Sequence, residues 1–137
     1  MEAPVKRRYT YDELVAEMPE TNKPCELWDG ELITSPAPSF YHQEVVLRFY
    51  RQLYDWAAKR KLGKVITGPI DMVLSPHRVT QPDVAFISKE RLGIVTKAIN
   101  GPVDLAAEII SLGNRNRDRI EKSGPLRAIR RQGILAH

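Results

Sequence analysis

The chain has 137 residues, 42% of them hydrophobic and 28% charged, which predicts one soluble domain with one modest core. No apolar stretch approaches the ~20 residues of a membrane-spanning helix, and residues 1–8 lack the apolar segment of a signal peptide, so we expect a cytoplasmic protein without a membrane partner. The net charge of +4 permits a phosphate-bearing partner without identifying one, because solvated helix faces have similar compositions. The single Cys25 excludes an internal disulfide.

The N-terminal part of the chain predicts a short helix followed by a hairpin. Thr10 and Glu13 have the spacing of a capping box, so a helix should begin there and end at Pro19. Residues 25–33 alternate polar and apolar side chains around Asp29-Gly30, a pair that tolerates the positive φ values of a type I′ turn. We therefore predict a β-hairpin over this segment.

A long helix and several short strands are predicted next. Apolar residues recur at helical spacing from residue 40 to residue 61, and Gly63 fits a C-terminal cap. Four short β-prone segments separated by turn residues follow, at residues 64–67, 70–74, 82–87 and 104–110. A polar helix should begin near Asn116. This order predicts an α/β or α+β fold, in which helices flank a mixed β-sheet.

Two acidic residues sit at predicted strands and indicate a function. Glu108 lies in the middle of the apolar segment 104–110, and Asp83 opens the preceding strand in Gln81-Pro82-Asp83. A lone ionised carboxylate in an apolar interior costs several kcal/mol, so it persists where a metal, an Arg or a Lys meets it. The two carboxylates together therefore suggest a site for a hard cation.

Several short motifs occur in a fixed order along the chain. They are Tyr9-Thr10-Tyr11-Asp12, the segment 26–32, the segment 36–39, His42-Gln43, Gln81-Pro82-Asp83, the segment 108–111 and the segment 118–122. Each motif is weak alone, but the ordered set, from about Tyr9 to Lys122, resembles the Uma-type restriction endonucleases, a PD-(D/E)xK nuclease-like family. The resemblance implies a restriction-endonuclease-like domain over residues 1–122.

The resemblance also implies a metal-dependent reaction. In such a core, Asp83 and Glu108 stand side by side on neighbouring strands and hold Mg²⁺, or Mn²⁺ in its place, and the carbonyl of Ile109 completes the inner shell. Magnesium prefers oxygen ligands, activates a water and neutralises a scissile phosphate, as phosphodiester hydrolysis requires. The implied activity is DNA endonuclease, with DNA as the partner, and a homodimer is compatible with cleavage of both strands.

The third catalytic residue departs from the usual pattern. The family's lysine normally follows the second acid by two positions, where this chain has Ile110. The resemblance implies that the lysine has moved to the next helix, where Lys122 matches it. A solvated helix lysine is an equally good interpretation of Lys122 on sequence alone.

Other polar residues are weaker candidates. Asp71 could support the metal from behind its ligands or be a turn residue, and Gln81 is a further accessory candidate. His42 could contact phosphate or simply lie at a helix terminus. Glu26 and Glu31 flank the predicted turn and are expected to be exposed hairpin residues.

The resemblance stops after Lys122, and residues 123–137 form an atypical basic tail. Shifted by one nucleotide, a permitted coding sequence for residues 129–137 reads Tyr-Gly-Val-Lys-Glu-Tyr-Trp-Leu, the ending that the resemblance implies. We interpret the tail as a possible frameshift product, in which case the sheet lacks its C-terminal strand. Two functions follow: a Mg²⁺-dependent endonuclease, or a catalytically inactive nucleic-acid-binding or interaction remnant of the same fold.

Overall fold

A computed structural model describes residues 7–17 and 25–110 of the chain. The predicted helix near Asn116, the candidate Lys122 and the tail at 123–137 lie outside the described residues. Pro19, where the first helix was predicted to end, and the predicted lack of a C-terminal strand also concern residues outside the described ranges. None of the helices in the described ranges is both long and apolar enough to cross a membrane.

Within the described residues the chain forms two α-helices, eight strands and one 3₁₀ helix. The helices are α1 (Tyr11–Glu17), α2 (Phe40–Arg60) and the 3₁₀ helix (Lys89–Ile94). The strands of the first half are β1 (Cys25–Trp28), β2 (Glu31–Thr34), β3 (Gly63–Thr67) and β4 (Met72–Ser75). Those of the second half are β5 (Arg78–Thr80), β6 (Val84–Ser88), β7 (Ile99–Asn100) and β8 (Leu105–Ala107).

The strands are divided between two sheets. One sheet has five strands in the order β2-β1-β5-β4-β7, and the other has three in the order β3-β6-β8. The five-stranded sheet is mixed because β4 and β7 run parallel, whereas its other pairs are antiparallel. The prediction of an α+β fold with a mixed sheet and helices is confirmed, although the strands form two stacked sheets where we predicted one.

The local signals at α1 and the hairpin form as predicted. Thr10 Oγ1 accepts from the N–H of Glu13, and Glu13 Oε1 accepts from the N–H of Thr10, both at 3.2 Å, which is a reciprocal capping box. At the turn between β1 and β2, Asp29 and Gly30 adopt φ values of 53° and 83°. These are the two positive φ values that a type I′ turn requires.

The prediction that Gly63 caps α2 is wrong. The helix ends with Lys61 in the left-handed conformation, at φ 54°, and Gly63 is the first residue of β3. A Cβ at Gly63 would lie 2.1 Å from the carbonyl oxygen of Ile87, so glycine is required there by the close approach of β6. At the other end of α2, Ser39 Oγ accepts from the N–H of His42 at 3.1 Å and caps the helix.

Three clusters of buried side chains fix the order of the layers. The first cluster joins the two sheets, with Met72 and Ile99 on one sheet and Ala85 and Ala106 on the other. The second packs the three-stranded sheet against α2, and the third packs α1 against β1 and β5. The layers therefore follow the order α1, five-stranded sheet, three-stranded sheet, α2.

Candidate active site

Two acidic residues lie at one end of the three-stranded sheet. Asp83 precedes β6 and Glu108 follows β8, and the antiparallel pairing of these strands ends with Val84 opposite Ala107. The N–H of Asp83 donates to the Ala107 carbonyl at 3.1 Å, which keeps the two segments in contact beyond the paired residues. The register thus brings Asp83 and Glu108 to the same end of the same strand pair. Glu108 lies just past its strand, which is shorter than the predicted 104–110.

The carboxylate of Asp83 is held by two neighbours. Its Oδ2 accepts from the N–H of Ile109 at 2.7 Å and lies 3.3 Å from Nε2 of His42. The side chain is 23% exposed, so solvent reaches only part of it. A hydrogen bond from a backbone N–H to an ionised carboxylate is stronger than one between neutral groups. The Asp83 side chain is therefore fixed in position, against the backbone that follows β8.

His42 reaches this carboxylate from the first turn of α2. Its imidazole is 12% exposed, with Nδ1 3.0 Å from Gln43 Oε1 and Nε2 facing Asp83. His42 lies at a helix terminus, as one interpretation of the sequence predicted, and it also lies beside the candidate site. A contact with phosphate stays a prediction.

Glu108 and its neighbours alternate across the backbone. The side chains of Ala107 and Ile109 both pack toward α2, so the Glu108 side chain between them points to the opposite side. Glu108 is half-buried, and its Oε2 is shielded from solvent. Ile110, at the position where the family's lysine usually stands, is 42% exposed and carries no charge. The candidate replacement, Lys122, lies outside the described residues.

The donors at this end of the sheet suit one class of metal. In the described ranges, no group of three or more His, Cys, Asp or Glu side chains is arranged to hold an ion. The available oxygen donors are two carboxylates, Asp83 and Glu108, and backbone carbonyls such as that of Ile109. Magnesium is commonly bound in this way, through one or two carboxylates, with waters and substrate phosphate as the remaining ligands. The chemistry of the donor set therefore fits Mg²⁺ or Mn²⁺.

A second polar cluster lies two residues before Asp83 and is centred on Gln81. Gln81 Nε2 donates to Asp71 Oδ1 at 3.0 Å, and Gln81 Oε1 accepts from the N–H of Cys25 at 3.0 Å. Asp71 Oδ2 in turn accepts from the hydroxyl of Tyr11 at 3.3 Å. Burial raises the pKa of Tyr11, and the Asp71 charge adds to the increase. The structure thus places Asp71, Gln81 and Tyr11 in one hydrogen-bonded network.

The expectation that Glu26 is exposed is wrong. Glu26 is 6% exposed, its Oε2 accepts from the N–H of Gln81 at 2.6 Å, and its Oε1 accepts from Trp28 Nε1 at 3.0 Å. Leu27 packs against α1, so the side chain of Glu26 lies on the other face of β1, between the two sheets. A hairpin pattern does not reveal this second layer. Glu31, on β2, is exposed as predicted.

Comparison with known proteins gives a fold relative. A solved structure described as a "putative nuclease belonging to DUF820 from Anabaena variabilis ATCC 29413" matches with a TM-score of 0.67 and 19% sequence identity. The match covers 83% of this chain and 64% of that one, so this chain spans less than two thirds of its length. At this identity the likeness establishes the fold alone. A search of curated proteins found no match.

The sequence also matches a family model over residues 11–128, which is most of the chain. The model is that of Uma2, described as "Putative restriction endonuclease". The matched range contains Asp83, Glu108 and Lys122. The resemblance seen in the ordered motifs is therefore confirmed, and this chain belongs to the Uma2 family of restriction-endonuclease-like proteins.

Proposed function

We propose that this chain is a Mg²⁺-dependent endonuclease that hydrolyses DNA phosphodiester bonds at Asp83 and Glu108. The observation that carries the proposal is the position of the two acids at one end of the β6–β8 pair, with the Asp83 carboxylate fixed by the N–H of Ile109 at 2.7 Å. Membership of the Uma2 family supports a nuclease. The available oxygen donors support magnesium or manganese as the metal.

Each residue is assigned a role. Asp83 Oδ1, a Glu108 carboxylate oxygen and the Ile109 carbonyl would hold the ion, while Asp83 Oδ2 stays with the N–H of Ile109. When bound, the ion would supply Lewis-acid stabilisation of the phosphate and a more acidic water. Lys122, which matches the family's lysine, is assigned to orient that water and stabilise developing charge. His42 is an accessory residue that helps to hold the Asp83 carboxylate through Nε2.

A nicking assay on supercoiled plasmid tests the proposal. The chain should convert supercoiled plasmid to open circles with Mg²⁺ or Mn²⁺, and EDTA should stop the reaction. Asp83→Asn and Glu108→Gln should each abolish it. A matched control is Asp104→Asn, because Asp104 accepts from the N–H of Ser88 at 2.7 Å near the opposite end of the same strand pair. Cleavage that survives both site substitutions would exclude this site.

The alternative function gives a different result in the same experiment. A catalytically inactive remnant would bind DNA, if at all, with an affinity that falls steeply with salt, and would leave the plasmid intact at every metal concentration. The tail at 123–137 bears on this alternative, because an altered C-terminus could remove activity while Asp83 and Glu108 remain. Sequencing the gene past the Glu108 codon would show whether a one-base correction restores the family ending. Sedimentation would test the proposed homodimer.

A further inference from the structure

Gln81 is fixed by three hydrogen bonds to two separate parts of the chain, β1 and the segment before β4. Its side-chain oxygen accepts from the N–H of Cys25 on β1, and its side-chain nitrogen donates to Asp71 before β4. Its backbone N–H donates to the carboxylate of Glu26 at 2.6 Å. These three bonds hold the backbone and the side chain of a single residue, which leaves Gln81 little freedom to move relative to the five-stranded sheet.

The connection from Gln81 to Asp83 is short and stiff. The one residue between them, Pro82, is almost fully buried, and the proline ring fixes its own φ and restricts the residue before it. On the far side, the N–H of Gly68 donates to the Asp83 carbonyl at 3.0 Å, and a Cβ at Gly68 would lie 2.6 Å from the Pro82 oxygen. Gln81 and Asp83 are thus joined by a single buried proline, which gives the connection between them little conformational freedom of its own.

Glu26 is the unusual member of this arrangement. A carboxylate that is 6% exposed is costly to bury unless hydrogen bonds compensate for the lost water. Its bond to the Gln81 N–H, at 2.6 Å, is in the range of strong charge-assisted hydrogen bonds. The bond is directed at the segment that carries Asp83, and the same carboxylate is anchored by the indole N–H of Trp28.

We propose that Glu26 is a positioning residue for the metal site, acting through Gln81 to hold Asp83 in the orientation that binds the cation. This inference rests on the proposed function, because it assumes that Asp83 is a metal ligand. It predicts that loss of Glu26 weakens the hydrogen bond of Asp83 more than it weakens the backbone hydrogen bonds elsewhere in the three-stranded sheet. The hydrogen bond from the Ile109 N–H to Asp83 Oδ2 reports on this orientation without any metal.

The test compares Glu26→Gln with wild type and with Glu31→Gln, the same substitution at an exposed position of the same hairpin. In Glu26→Gln one acceptor oxygen is replaced by an NH₂ group, which cannot accept from the Gln81 or Trp28 N–H. Amide hydrogen exchange measured by NMR on the full chain should be roughly three- to tenfold faster at Ile109. The Lys89 amide, which donates to Leu62 at the other end of β6, should exchange at the wild-type rate.

Mn²⁺ titration of the same proteins adds the functional measurement. Mn²⁺ should bind Glu26→Gln about tenfold more weakly than it binds wild type or Glu31→Gln, the usual loss when a residue behind a metal ligand is removed. Trp28→Phe removes the indole N–H that anchors the Glu26 carboxylate and should show the same two changes. It serves as the second variant if Glu26→Gln does not fold.

The possible outcomes separate the two proposals. Faster exchange at Ile109 with weaker Mn²⁺ binding supports both. Faster exchange at Ile109 in a protein whose wild type binds no Mn²⁺ would support the positioning of Asp83 by Glu26 and overturn the proposed metal function. Unchanged exchange at Ile109, or equal acceleration at Ile109 and Lys89, would mean that Glu26 only stabilises the fold, and would overturn the inference.

Discussion

Substitution of Asp83 should separate its structural contribution from its chemical one. Asp83→Ala removes the acceptor for the Ile109 N–H, now bound at 2.7 Å, and the contact with His42 at 3.3 Å. A hydrogen bond to a charged group contributes about 1.5–3 kcal/mol, and the 23% exposure of this side chain favours the lower part of that range. We therefore expect Asp83→Ala to lose about 1.5–2 kcal/mol of unfolding free energy.

Asp83→Asn should behave differently. The amide oxygen still accepts from the Ile109 N–H, so only the charge-assisted part of the bond is lost, and we expect a cost below about 1 kcal/mol. Because 1 kcal/mol corresponds to about 3–5 °C in a domain of this size, Asp83→Ala should lower the Tm by roughly 5–10 °C and Asp83→Asn by less than about 5 °C. Both variants should lose Mn²⁺ binding and cleavage, since neither keeps the carboxylate.

Thermal and urea unfolding followed by circular dichroism give the stabilities, and an Mn²⁺ titration gives the affinities. The reasoning predicts that the two variants differ in stability and agree in metal binding. Equal Tm values for Asp83→Ala and Asp83→Asn would show that the Ile109 bond contributes nothing measurable. Mn²⁺ binding retained in either variant would remove Asp83 from the metal site.

The remaining predictions concern the fold. Leu27→Ala, at a fully buried position against α1, should lower the unfolding free energy by about 2–5 kcal/mol, and a loss below ~1 kcal/mol in urea titrations would contradict the packing of this layer. Gly63→Ala should be destabilising, by about 1–3 kcal/mol, because its Cβ would meet the Ile87 carbonyl; a wild-type Tm would refute this close approach. Because folding raises the pKa of Tyr11, its contribution to the free energy of unfolding is present below the ordinary pKa of 10.0 and is lost as the pH rises through the pKa of the folded state. Wild type should therefore lose more stability than Tyr11→Phe between neutral pH and a pH above 10.0. Parallel urea titrations at the two pH values measure this, and identical losses would argue against the burial of Tyr11 near Asp71.

The features predicted correctly from sequence are governed by neighbouring residues. The capping box at Thr10 and Glu13 and the turn at Asp29-Gly30 depend on contacts within a few positions, so the sequence contains all the information they need. The ordered motifs gave the family in the same way, since their order and spacing can be read directly. The pairing of Asp83 with Glu108 was suggested by their positions at two predicted strands, and the family resemblance implied that these strands are neighbours.

The features that were missed depend on contacts between distant residues. Glu26 is buried because a second sheet covers its side of β1, and the alternation of polar and apolar residues in the hairpin does not reveal that second layer. The strands β5 and β7 have three and two residues, too short for an alternating pattern to be recognised. One signal for Glu26 was available, since Trp28 lies two residues away on the same face of β1 and its indole N–H needs an acceptor when buried.

The bond from the Ile109 N–H to Asp83 has a thermodynamic consequence for ligand binding. Under the proposed function, one side chain both anchors the backbone after β8 and offers an oxygen to a cation, so cation binding at Asp83 and ordering of the strand end would share a free energy. Such coupling is reciprocal, so a cation that orders the strand end is itself bound more tightly when that end is already ordered. Buried residues such as Ala107, which offer no ligand of their own, would then set the affinity of the site through the stability of a single short strand.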